Sequence, residues 1–118
     1  MLRKRDEQLG KVLHALADST RRTILEELFL RDEQSLFEIM GRLADKHQLS
    51  ISRQGVSKHL NVLEDAGLIT TAWSGRTKLH SSCIEESSSL LIRWLNAITP
   101  EDSKGGGVEN PPHIGVRR

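Results

Sequence analysis

The stretch Ser52-Arg53-Gln54-Gly55-Val56-Ser57-Lys58-His59-Leu60-Asn61-Val62-Leu63-Glu64-Asp65-Ala66-Gly67-Leu68-Ile69 decides the fold. Val56, Leu60 and Leu63 recur at helical spacing on one face, so a helix runs to about Ala66. Ser52 stands where an N-cap oxygen belongs, and Gly67 where a glycine ends a helix. The period then changes. Leu68 to Trp73 is β-branched and extended in character, Ser74-Gly75 is a turn dipeptide, and Arg76 to Ser81 returns as the partner strand.

Upstream, Leu9, Val12, Leu13 and Leu16 define a first helix over Glu7 to Ala17. Asp18-Ser19-Thr20 interrupts it and offers caps to a second helix over Thr20 to Leu30, with Ile24, Leu25, Leu28 and Phe29 as its apolar positions. Arg31 to Gln34 reads as a polar connection. Ser35 and Glu38 are spaced as a capping box opening a third helix, whose inner face is Leu36, Ile39, Met40 and Leu43 and whose end lies near Asp45 to His47. Downstream, a last helix lies between about Ile84 and Ile98. The expected fold is mainly α with a small β-hairpin, a winged helix-turn-helix. Residues 1–6 read as a flexible basic N-terminus, 7–98 as the domain, and 99–118, with Pro100, Gly105 to Gly107 and Pro111-Pro112, as a disordered tail.

The 118 residues suffice for one compact domain. Charge is balanced overall, 17 basic against 16 acidic, but unevenly placed. No acid occurs from Lys46 to Asn61, nor from Ala66 to Ile84. No apolar run exceeds three residues, which is too short for a membrane span. The basic start Met1 to Arg5 is not followed by an apolar stretch, so no secretory signal is expected. The single cysteine, Cys83, fits a reducing cytoplasm.

In a winged helix-turn-helix, the fourth helix of this order is the one that enters a DNA major groove. Its polar face carries Arg53, Gln54, Ser57, Lys58 and Asn61. Arginine or lysine grips guanine, asparagine or glutamine pairs with adenine, and serine serves either, so these five are the candidate base contacts. Ser52 and the free N–H groups of the helix start, His59, and the wing residues Arg76, Thr77 and Lys78 are candidates for the DNA backbone, with packing the other role open to His59. Arg21 and Arg22 in the first turn of the second helix oppose the helix dipole and hint at an anionic partner. Leu90, Leu91, Ile92, Trp94, Leu95 and Ile98 span more than one face of the last helix, a pattern that favours self-association.

Leu16-Ala17-Asp18-Ser19-Thr20-Arg21-Arg22-Thr23-Ile24-Leu25, the 52–69 stretch, and Gly75-Arg76-Thr77-Lys78-Leu79-His80 together resemble the ArsR/SmtB family of bacterial repressors over roughly residues 8–98. The resemblance implies a homodimer through the first and last helices, here Leu9, Val12, Leu13 and Leu16 with Leu91, Trp94, Leu95 and Ile98. It also implies repression by binding a double-stranded operator, and release by a signal. The third helix has Leu36-Phe37-Glu38-Ile39-Met40 where metal-sensing members carry paired cysteines. The last helix lacks the Asp and His used by others, so no metal and no cofactor are expected. The long link Asp45 to Ile51 resembles a non-metal subgroup. Gly55 takes a position commonly held by alanine, either for close backbone approach or by drift.

Cys83 reads as a redox thiol or a small packing residue, and His80 with Cys83 as a pair able to touch a metal across a dimer. The alternative function is a winged-helix module for protein–protein interaction without specific DNA binding. An enzyme is not expected, since there is no phosphate loop and no nucleophile–base set. A single-strand or RNA binder wants exposed aromatics, whereas Phe29, Phe37 and Trp94 fall on apolar helical positions.

Overall fold

The computed structural model describes residues 2–101, with side chains from Arg5 onward. Five helices and one hairpin follow in the order α1 (Leu2–Leu16), α2 (Ser19–Leu30), α3 (Leu36–His47), α4 (Arg53–Asp65), β1 (Ile69–Ser74), β2 (Thr77–Ser82) and α5 (Glu85–Ala97). Local chemistry sets most of these boundaries. The Asp18 carboxylate accepts from the Arg21 N–H at 3.0 Å and caps α2, and this hydrogen bond is the main reason its pKa is lowered. Ser35 and Glu38 form the reciprocal capping box, with hydrogen bonds of 2.8 and 3.1 Å.

α4 is fixed at both ends. Ser52 Oγ accepts from the Gly55 N–H at 3.0 Å. At the other end Gly67 adopts φ +76°, the Leu68 N–H reaches Leu63 O and the Gly67 N–H reaches Glu64 O, both at 3.0 Å. This is the Schellman arrangement, and the buried Leu63 and Leu68 supply its apolar contact. α1 and α5 also grip this end: Gln8 Nε2 and Ser87 Oγ donate to Ala66 O at 3.0 and 3.2 Å.

The core lies where α1 to α4 and β1 meet, with Ile24, Leu28, Ile39, Leu43, Val56, Leu60 and Leu63 buried. The hairpin is antiparallel, pairing Thr71 with His80 and Trp73 with Lys78. A bridge between Gln34 and His80 extends it: the two backbones exchange hydrogen bonds of 3.0 and 2.8 Å, and His80 Nδ1 meets Gln34 O at 2.9 Å. The segment expected as a plain polar connection therefore anchors the wing to the α2–α3 corner.

Several expectations need correction. α1 starts at Leu2 rather than Glu7, so residues 2–6 belong to its helical backbone. Leu2, Arg3, Lys4 and Arg5 are strong helix formers with no breaker among them. Leu9 and Val12, expected at a dimer interface, are buried within the chain itself, while Leu13 stays exposed. Phe29 and Phe37 are 79% and 75% exposed, and Trp94 is exposed as well, so apolar spacing did not mean burial. In α2 the inward stripe is Ile24, Glu27 and Leu28. Glu27 is buried and receives Lys46 Nζ at 2.9 Å and His47 Nε2 at 2.8 Å, with Arg42 at 3.8 Å. Of the expected tail, residues 102–118 lie outside the described residues.

Candidate nucleic-acid interface

Ser52 starts α4 at the surface, and the buried Val56, Leu60 and Leu63 hold one face against the core. The opposite face is consequently open: Arg53, Gln54, Lys58 and Asn61 are exposed and Ser57 is half-buried. All five expected base-contact residues thus lie on or beside one accessible face. The first turn sits there too, and its leading N–H groups have no partner from a preceding helical turn.

The wing stands beside this face. Thr71 and Trp73 share a side of the hairpin with Lys78 and His80, and Thr71 Oγ1 donates to Glu64 at 3.2 Å, tying β1 to α4. Between them runs a groove of about 660 Å³ that reaches from Phe37 at the start of α3, past Arg53 and Asn61, to Trp73, Arg76 and Lys78. Gly75 takes φ +63° in the tight turn, which places Arg76 in the turn itself and Thr77 at the first position of β2. Among the described residues, Arg53, Lys58, Arg76 and Lys78 take part in no ion pair. Several cations elsewhere do pair, Lys11 with Asp65, Arg31 with Glu38, and Arg42 and Lys46 with Glu27, whereas among the described residues Arg5, Arg21, Arg22 and Arg93 do not.

Gly55 has a steric reason. A Cβ there would lie 2.7 Å from Ile51 Cγ2 and 3.3 Å from Ser52 Oγ, so the long link before α4 packs directly on its first turn. His59 Nδ1 lies 3.3 Å from Arg21 Nη1 and 3.9 Å from Asp18 Oδ2, on the side of α2. The arginines that oppose the α2 dipole are satisfied by the end of α1. Arg21 donates to Ala15 O at 2.8 Å and His14 O at 2.9 Å, and Arg22 donates to Leu16 O at 2.7 Å. Their placement thus needs no anionic partner.

Burial pushes the Cys83 thiol pKa up, and the nearby Glu85 and Glu86 push it further, so thiolate is disfavoured. His80 is buried with Nδ1 on Gln34 O, away from the role of a shared ligand. Among the described residues, no three His, Cys, Asp or Glu side chains are grouped to hold a metal. No described helix is long and apolar enough to cross a membrane.

A family model for a helix-turn-helix domain matches residues 16–72. The uncharacterized HTH-type transcriptional regulator YuzN of Bacillus subtilis (strain 168) is 46% identical over 84 residues, 71% of this chain and 91% of that protein. The ArsR-like transcriptional regulator from Rhodococcus sp. RHA1 is 33% identical, with a TM-score of 0.66 over 83% of each chain. The chain belongs to the ArsR family of winged helix-turn-helix transcriptional regulators. Its fold is shared by the homodimeric winged helix-turn-helix DNA-binding domain of a possible ArsR-family regulator from Mycobacterium bovis, at 19% identity and a TM-score of 0.58, over 91% of this chain and 89% of that one. The ArsR family and its fold are those of transcription regulators, not of enzymes.

Three features of this ArsR-family chain were not read from its sequence. Glu27 sits at i+3 from Ile24, inside the buried stripe, and that spacing was the available signal. Trp73 alternates with Thr71 on the groove side of β1, which period two would have indicated. The Gln34–His80 bridge joins residues 46 apart and left no local sign.

Proposed function

We propose that this regulator is a cytoplasmic repressor that binds an inverted-repeat operator in double-stranded DNA as a homodimer. In this reading α4 enters the major groove, with Arg53, Gln54, Ser57, Lys58 and Asn61 on base edges. Ser52, Arg76, Thr77 and Lys78 contact the sugar-phosphate backbone and add affinity with little sequence information. The observation that carries the reading is the set of four unpaired cations on α4 and the wing, on a face free of core contacts. A polyanion is the partner that such a face lacks.

Dimerisation is supported by the apolar side chains that α1 and α5 leave in water: Leu13, Ile92, Trp94, Leu95 and Ile98. A two-fold axis through that patch would present two α4 helices to half-sites one helical turn apart, about 34 Å. The test is selection of bound duplexes from a random pool at stated salt, with the dimer mass measured by sedimentation. An imperfect palindrome bound by two chains supports the proposal. Retention of random duplexes without enrichment, or of one chain per site, contradicts it.

A further inference from the structure

Two aromatic side chains face the groove between α4 and the wing and serve no core. Phe37 is 75% exposed at the start of α3, and Trp73 is 69% exposed one residue before the end of β1. Arg53, Arg76 and Lys78 line the same groove, with Leu60 also on its wall. The groove therefore combines exposed apolar rings with unpaired cations. A nucleic-acid strand offers the complement of both, anionic phosphates between the largely apolar faces of deoxyribose rings. Glu64 also borders the groove and keeps its negative charge, with one oxygen accepting from Thr71 at 3.2 Å, so a phosphate strand must run on the side of Arg76 and Lys78.

We infer that this groove seats one sugar-phosphate strand of the bound duplex, with Trp73 and Phe37 packed on deoxyriboses, Arg76 and Lys78 on the flanking phosphates, and Arg53 reaching past the strand to a base edge. The inference rests on the proposed DNA-binding function and adds two uncharged contact residues to it. Duplex is favoured over single strand because the groove runs alongside the exposed face of α4, so a strand lying in it borders the major groove that α4 occupies. The wing thereby measures backbone position, and Trp73 couples that measurement to the register of α4 through the Thr71–Glu64 hydrogen bond two residues away.

The protein has two tryptophans, so Trp94→Phe in the full chain leaves Trp73 as the sole emitter. Because Trp94 lies on the proposed dimer patch, the parent is titrated by DNA anisotropy alongside, and absence of duplex binding is scored on the parent. The probes are a labelled mixed-sequence duplex and one of its strands alone, titrated at low salt with DNA anisotropy and tryptophan emission read together. Trp73 emission should change in step with duplex binding. Trp73→Ala and Phe37→Ala should each weaken duplex binding about 5–10-fold, the lower end of the range for the loss of one ring contact. The salt slope should stay unchanged, because no charge is removed, and Trp73→Phe should recover most of the affinity. Both residues are exposed, so thermal melts should match the parent. Duplex binding with unmoved Trp73 emission overturns the inference and leaves the repressor reading standing. Absence of duplex binding overturns both. Tighter binding of the single strand, with the larger emission change, makes the groove a single-strand seat and overturns the duplex assignment.

Discussion

Replacing Glu27 by glutamine perturbs the junction of α2 and α3 with almost no change of shape. The side chain is 3% exposed, and its carboxylate receives Lys46 at 2.9 Å and His47 at 2.8 Å, with Arg42 at 3.8 Å. Breaking a fully buried ion pair costs about 3–5 kcal/mol, because the orphaned charge stays buried. Here the partners retain access to water, with side-chain exposures of 28% to 45%, so they rehydrate when the carboxylate is lost. The expected cost falls to about 1.5–3 kcal/mol, the range of hydrogen bonds to charged groups. With an m-value near 1.5 kcal/mol/M, the urea midpoint should drop by roughly 1–2 M at neutral pH and fixed protein concentration. The pH dependence has a definite sign. Burial acts to raise the Glu27 pKa, but the hydrogen bonds from His47 and Lys46 and their charges act more strongly, and the net shift is below 4.5. The carboxylate thus stabilises the fold above about pH 4.5, and that contribution disappears as pH falls through the depressed folded value. The gap between parent and Glu27→Gln should close in acid. A midpoint change below about 0.3 M at neutral pH, or a gap constant down to pH 3, would refute this reasoning.

Three other perturbations probe separate parts of the account. Arg76→Ala with Lys78→Ala should weaken binding equally on every duplex and flatten the log–log salt dependence by about 0.9 per lost phosphate contact; an unchanged slope removes the wing from the interface. Gly55→Ala should fail to stabilise the chain despite a gain of about 1 kcal/mol in helix propensity, because its Cβ would crowd Ile51 Cγ2 at 2.7 Å. Ile51→Ala should release that gain, whereas a raised melting temperature for Gly55→Ala alone contradicts the packing argument. Leu95→Asp on the exposed side of α5 should sediment as a monomer with its helix content intact, and a dimer at the same concentration would place the interface elsewhere.

What the sequence revealed divides by the range of the forces involved. Caps and turns were legible: Ser35 with Glu38, Ser52, Gly67 and Gly75 act within a few residues of themselves. The α4 stripe was legible for the same reason. Aromatic burial was not, since Phe29 and Phe37 occupy helix positions whose outward orientation depends on where the other helices pack. Leu9 and Val12 were assigned to a partner subunit because their stripe looks alike whether α5 or another chain covers it. Arg21 and Arg22 looked unsatisfied in α2 because the carbonyls that accept from them belong to α1. The exposed polar face of α4 followed once its apolar face was known, whereas the groove that faces it depends on the fold of α3 and the wing.

The most direct test of α4 as the reading element is a base-substitution series on the selected operator. Each base pair of a half-site is changed in turn and affinities are measured for the parent, Arg53→Ala and Gln54→Ala at one salt concentration. Loss of about 1–3 kcal/mol of discrimination at one base pair for each variant, with preferences elsewhere retained, is the predicted result. Uniform weakening across all substitutions, or a discrimination profile identical to the parent's, would contradict it.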